Sequence, residues 1–513
     1  MFKNIILVTT FALLGSVLGF AAQIVFASSF GASVEMDIYF RILSVPAVVT
    51  GISAMIFSSV LIPTFAKFKS NQLELNKFID SMWIFILVFG FLFILIGVFI
   101  SVINIDLFIP KNTPYLRQLG IQVSLMVWIG SGFSIMSGYL SAVLNYSKQF
   151  SKVAWTSLLP HLFMITIVLL FYKELGVRSI SLGFSIAFIL QFIILLIASK
   201  ISLNFFSFNI NEIPFKKKLL EQSFLVTLSL LPFTVLVPIA FFLASELEIG
   251  SISYLGYSQS FAGFLSVAAS LGISIVSLPE LADKFANEKG KSTLYQFEKS
   301  LRYLLLIAMF AAGALISLRM PILTLFYQRG SFDAESVNNL SSVMPWYLLS
   351  AVFIAGLNLL RTLFYSRGEF KNIAKLGLII PIIFFVLAVV LKEKFSFVGI
   401  GIANALTFAL LFFITVYLAK NKEAEFLTNI FLFFILKNAS AVMVAGLFIT
   451  LTLPFILNIT SQPTSFHSLV LIAGCLFLFS VVYILFSIFV FKLKEIEEIK
   501  LILINQLNLS NKS

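Results

Sequence analysis

Ionisable side chains inside long apolar stretches are few in this sequence, and each marks a place where chemistry is conceivable. Asp37 and Arg41 stand one helical turn apart, the spacing of an intrahelical ion pair. His161 lies in an apolar stretch beside Pro160 with no second ionisable group near it in sequence, which suits a packed, neutral ring better than a proton relay. Arg361 and Arg367 close one apolar stretch, and Arg319 and Arg329 flank the end of another, within reach of lipid headgroups. The constellations that enzymes need are missing. There is no paired-acid motif in a loop, no nucleophile with a base, no His/Cys set at metal spacing and no phosphate loop. No catalytic residue, metal ligand or cofactor is assigned. Cys475 is the single cysteine and forms no internal disulfide.

The elements that carry these residues are set by composition. The 513 residues are 60% hydrophobic and only 11% charged, with a mean hydropathy of +1.05, which is the polytopic membrane class. A spanning helix needs about 20 mainly apolar residues. Fourteen such runs are present: 5–30, 42–62, 81–105, 119–146, 153–172, 179–199, 224–245, 249–278, 304–318, 343–360, 376–391, 397–418, 438–458 and 468–491. No stretch between them is long enough for a soluble domain. An all-α integral membrane bundle follows, because only helices satisfy their own backbone polar groups in lipid. Lys3 before the first run resembles a secretion signal, but the run is long and lacks a small-x-small cleavage site, so an uncleaved first helix is expected.

Basic residues orient the bundle. With the N-terminus inside, only Arg41, Lys111, Arg117, Lys173, Arg178, Arg319, Arg329, Lys392 and Lys394 face outward, leaving 26 of the 35 on the cytoplasmic side. Both termini are therefore expected inside. The net charge of +12 is topology and attraction to anionic lipid, not a nucleic-acid signal.

The runs repeat. The second closes on Ile62-Pro63 and the eighth on Leu278-Pro279, Phe78-Ile79-Asp80-Ser81 matches Phe297-Glu298-Lys299-Ser300, and Tyr146-Ser147-Lys148 matches Tyr365-Ser366-Arg367. The offset stays near 216 to 220 residues, so the chain reads as two six-helix units. Six is even, so the repeats are parallel and related by an axis along the membrane normal. The expected organisation is an N-lobe at 1–200, a cytoplasmic linker at 201–222, a C-lobe at 223–420, and helices 13 and 14 with a tail at 421–513. Two matched lobes suggest a central cavity that opens alternately to either side. Pro46, Pro160, Pro232, Pro238, Pro381 and Pro454 interrupt runs, and the pair Pro232 and Pro238 in the seventh is the expected hinge. Gly15 and Gly19 form a small-residue face suited to close helix packing.

Phe30-Gly31-Ala32, Asp37-Ile38-Tyr39-Phe40, Pro46 and Ile62-Pro63, then Gly250-Ser251-Ile252-Ser253-Tyr254, Leu325 to Phe332 and Tyr365-Ser366-Arg367, occur in an order that resembles the MviN/MurJ family of lipid II flippases. The resemblance runs over nearly the whole chain. It implies a bacterial cytoplasmic (inner) membrane protein, a monomer, that carries a lipid-linked peptidoglycan precursor outward by alternating access, among membrane lipids and with cell-wall synthesis proteins as candidate partners. It also implies cavity arginines for the diphosphate, since guanidinium forks suit phosphate. Here the sequence departs from the family pattern. Ser16, Ala22, Thr50 and Ser260 occupy the four basic positions, and Gly263 stands where an acidic residue is usual.

A cavity so neutralised would bind through Ser16, Gln23, Thr50, Tyr257, Gln259 and Ser260, with neutral hydrogen bonds about half as strong as charge-assisted ones. Asp37 matches the family's acidic position, Arg41 becomes a replacement phosphate contact near the outer gate, and Arg361 a basic group at the inner end of the tenth helix. Two alternatives stay open at this point: transport of another polyprenyl-linked saccharide such as an O-antigen or capsule unit, and a non-transporting membrane scaffold. A drug antiporter of the same exporter superfamily fits less well, because fourteen runs exceed the usual twelve and no buried acidic pair is present.

Overall fold

The computed structural model describes residues 2–68, 71–107, 109, 113–201, 216–276, 291–366, 370–422, 429–459 and 465–498. Its helices are α1 (Phe2–Phe30), α2 (Val34–Ile56), α3 (Ile62–Lys67), α4 (Gln72–Ile103), α5 (Pro114–Tyr146), α6 (Phe150–Thr156), α7 (Leu159–Leu175) and α8 (Arg178–Ser199). They continue with α9 (Lys216–Thr234), α10 (Leu236–Ala244), α11 (Ser251–Val276), α12 (Lys291–Ser317), α13 (Arg319–Phe326), α14 (Ala334–Ser366), α15 (Phe370–Lys422), α16 (Asn429–Ile459) and α17 (Ser465–Leu485).

Eleven helical segments among the described residues are long and apolar enough to cross a membrane. One of them, 377–419, holds two of the fourteen runs, joined at Ser396, whose φ of 52° breaks the helical path of α15. The two remaining runs lie on α9 with α10 and on α11. Lipid-facing apolar surface is plain on α4, where Leu95 and Phe99 are exposed. In water that face would be an aggregation site, whereas in lipid it is solvated.

The chain ends its helices where its residues dictate. Ser33 caps α2 by accepting from Met36 N–H at 3.2 Å, Thr113 caps α5 ahead of Pro114, and Asn71 caps α4. The second run does not stop at Pro63, as the sequence suggests. A π-turn at Phe57–Leu61 absorbs the hydrogen bond that Pro63 cannot make, and the path continues through α3 to Lys67. Pro160 likewise is not a mid-helix kink: it opens α7 after a break that follows α6, where a missing N–H costs nothing.

Two compact units emerge, one formed by residues 1–257, 329–332 and 368–403, the other by 258–328, 333–367 and 404–513. In the first, α5 is the hub and packs on α2, α4 and α8. Helices α4 and α5 approach so closely that a Cβ on Gly97 would lie 2.1 Å from the Trp128 ring. Ser101 and Ser124 share a buried hydrogen bond of 2.6 Å between the same two helices. On α1, Gly15 and Gly19 admit Leu158 and the His161 ring of α7, so the small face is a packing face and His161 lies against it. In the second unit, α12 packs on α14 and α16. Polar pairs tie its members: Asn404 to Ser350 at 3.0 Å and Tyr483 to Asn438 at 2.7 Å. The Leu278-Pro279 half of the repeat, most of the 201–222 linker, Arg367 and the tail after residue 498 lie outside the described residues.

Candidate functional site

Asp37 and Arg41 do not pair with each other. Asp37 is 5% exposed, and its carboxylate is the cap of a helix other than its own. Gly250 N–H donates to Oδ2 at 2.8 Å, while the Ser253 N–H and hydroxyl donate to Oδ1 at 2.7 and 2.6 Å. The cause is local. In α2 the N-cap is Ser33, which closes its own first turn, but the residue before α11 is Gly250, which has no side chain to do so. Asp37 supplies the missing acceptor at the start of α11. Asp37 and Ser253 are 216 positions apart in sequence and meet within the first compact unit.

Around this cap the backbones nearly touch. Gly31 ends α1 at φ +64°, and a Cβ there would stand 2.4 Å from the Ser331 carbonyl oxygen. Reciprocally, a Cβ on Gly330 (φ +57°) would stand 2.2 Å from the Ser28 carbonyl oxygen, to which Ser331 N–H donates at 2.9 Å. Tyr257 is fully buried, donates to the Gly31 carbonyl at 2.9 Å and meets Phe40 and Phe332 edge-on. Gly31→Ala is expected to cost about 1–2 kcal/mol for the left-handed backbone alone, plus displacement of the 329–332 loop. Thermal unfolding of the detergent-solubilised protein checks it, and a melting temperature unchanged from wild type would contradict it.

The other residues singled out in the sequence are spread more widely. Arg41 is 8% exposed and lies over the Phe242 ring, 5.6 Å from its centroid. Ser16 is turned back onto the Ala12 carbonyl, and Gln23 Oε1 is buried without a hydrogen-bond partner. Thr50 donates to the Ala47 carbonyl and borders a cavity in the first unit. In the second unit, Gln259 and Ser260 are half-buried on α11, Gly263 faces open space, and Arg361 donates to Asn358 Oδ1. Pro232 lies near the end of α9 and Pro238 near the start of α10, and the helix breaks between them at Val235.

The cavity beside Thr50 is about 160 Å³ and is bounded by Ser134, Ser137 and Ser141 of α5, Gln191 of α8, and the rings of Phe57 and Phe188. Sequence reading passed over these serines. Their signal was the spacing of 134, 137, 138 and 141, which places three hydroxyls and a glycine on one helical face. A larger, apolar cavity of about 910 Å³ lies between α1, α6 and the turn before α6, with Lys148 on its border.

Parallel helical repeats, broken spans and a polar-lined cavity within an apolar bundle define a multi-pass transporter fold. Solved structures share it. A lipid II flippase MurJ in an inward closed conformation superposes with a TM-score of 0.75 at 20% identity, covering 94% of this chain and 99% of that one. An inward-facing multidrug resistance transporter of the MATE family, from the MOP superfamily, superposes with a TM-score of 0.59 at 13% identity over 80% of this chain and 96% of that one. The family model described as lipid II flippase MurJ matches residues 26–490, and the chain belongs to that family. Among its relatives, the probable lipid II flippase MurJ of Buchnera aphidicola is 23% identical over 487 residues, covering 92% of this chain and 94% of its own. The lipid II flippase MurJ of Burkholderia cenocepacia is 23% identical over 503 residues, covering 94% and 96%.

Proposed function

We propose that this protein is a lipid II flippase of the bacterial cytoplasmic membrane, moving a lipid-linked peptidoglycan precursor from the inner to the outer leaflet by alternating access. The observation that carries the reading is the family match across residues 26–490. The repeat-defined lobes, 1–200 and 223–420, are the moving bodies, with 421–513 as an appended pair of helices and tail. The α9–α10 break between Pro232 and Pro238 is the hinge, which the interrupted helix at Val235 supports. Both termini face the cytoplasm, in keeping with the lysine and arginine asymmetry.

In this reading the headgroup is held mainly by neutral hydrogen bonds from Ser16, Gln23, Thr50, Gln259 and Ser260. Arg41 and Arg361 supply basic contacts to the diphosphate, while Asp37 caps the start of α11 and Tyr257 holds the end of α1. The buried, unpartnered Gln23 Oε1 supports a polar ligand in that region. The protein acts as a monomer, and its substrate tail stays in lipid.

Replacement in cells depleted of their own lipid II flippase tests the proposal. Survival, with lipid II exposed on the outer leaflet, is the expected result. Normal membrane insertion with neither survival nor exposure would overturn it. A Ser16→Arg/Ser260→Arg variant that then gained transport would point to a different lipid-linked saccharide as the natural cargo.

A further inference from the structure

We propose that the cavity between α2, α5 and α8 is a saccharide subsite that receives one sugar ring of the transported headgroup, an inference that rests on the flippase reading above. Ser137 is 2% exposed, borders the cavity, and its hydroxyl has no hydrogen-bond partner in the protein. Gln191 is 8% exposed and borders the same cavity. Leaving a buried hydroxyl unpaired costs about 1–3 kcal/mol, and with the Gln191 carboxamide beside it the wall calls for a polar occupant.

The chemistry of the wall selects that occupant. Neither a carboxylate nor a basic side chain lines the cavity, which disfavours a cation or a phosphate held there. Hydroxyls and a carboxamide both donate and accept, as the hydroxyls of a sugar require. Phe57 and Phe188 add flat apolar faces of the kind on which the C–H face of a pyranose packs. At about 160 Å³ the space is large enough for several waters or a sugar ring. Thr50 ties the cavity to the headgroup path, because it stands at a position where the family resemblance expects a phosphate-binding arginine.

The test compares binding of undecaprenyl diphosphate, which carries no sugar, with binding of lipid II, using the full-length protein in nanodiscs and native mass spectrometry. Gln191→Leu removes the amide at similar volume, and Ser141→Leu fills the cavity. Each is expected to weaken lipid II about tenfold, the equivalent of ~1.4 kcal/mol, and to leave undecaprenyl diphosphate within twofold. Gln191→Asn should recover part of the loss. Both leucine variants should melt no lower than wild type without ligand, since one replaces a largely buried amide by an apolar group of similar volume and the other fills space.

Equal weakening of both lipids, or no change in either, overturns the subsite and leaves the flippase reading standing; no change, together with raised melting temperatures, identifies the cavity as holding water only. Wild-type protein that binds neither lipid overturns the flippase reading and the subsite together.

Discussion

Asp37→Ala is expected to destabilise the protein by roughly 2–6 kcal/mol, the cost of leaving two buried N–H donors without an acceptor. Three donors converge on this carboxylate, and alanine strands the Gly250 and Ser253 N–H groups in a buried setting. Each unsatisfied donor costs about 1–3 kcal/mol. Asp37→Asn keeps one acceptor oxygen but turns an NH₂ toward N–H groups, so an intermediate loss is expected. Melting of the detergent-solubilised protein and protease sensitivity near Gly250 measure both. A change below about 1 kcal/mol for alanine would mean that water caps α11 as well as Asp37 does.

Arg302→Leu carries the second large effect. Its guanidinium donates to Glu298 and, at 3.2 Å, to Glu495, and the side chains of both acids are less than a tenth exposed. The segment 494–498 is thereby fastened to α12, and Lys299 and Tyr303 hold Glu498, each at 2.6 Å. Removing the arginine leaves two nearly buried acids facing each other, a loss of roughly 3–5 kcal/mol. The triple change of Arg302, Glu298 and Glu495 to leucine should cost far less, because no charge is then left unpaired.

Acid should loosen the same clasp. Hydrogen bonds from Lys299 and then Tyr303 hold the Glu498 carboxyl below the usual glutamate range. A depressed carboxylate contributes stability that is present above its unfolded pKa, about 4.3, and is lost as pH falls through the lower folded value. Glu498 is well exposed, so the effect is modest. Proteolysis of the C-terminal segment should therefore rise at low pH in wild type and lose that acid dependence in Glu498→Gln.

Much of this architecture is legible without coordinates because lipid imposes a one-dimensional rule. A span needs about 20 apolar residues whatever its neighbours are, so the runs could be counted directly, and the repeat offset followed from matched residues. Gly31 and Gly330 were visible as motif members for a similar reason, since a left-handed backbone leaves its mark on residue type. Boundaries were less secure. Pro63 reads as a stop, yet a π-turn carries the helix past it, because five residues of altered hydrogen bonding cost less than ending a span early.

What the sequence by itself determined is therefore the class of fold, the number of spans, the family and the residues at which polar chemistry is concentrated. What only the tertiary structure decided is who partners whom. Spacing along one helix offered Arg41 to Asp37, but the carboxylate instead caps α11 across a separation of 216 residues. The same holds for the cavity beside Thr50, whose wall Ser137 and Gln191 share from helices far apart in sequence. Hydrogen bonds are short and directional, so their partners depend on how helices cross, and helix crossing is set by side-chain packing that no single run contains.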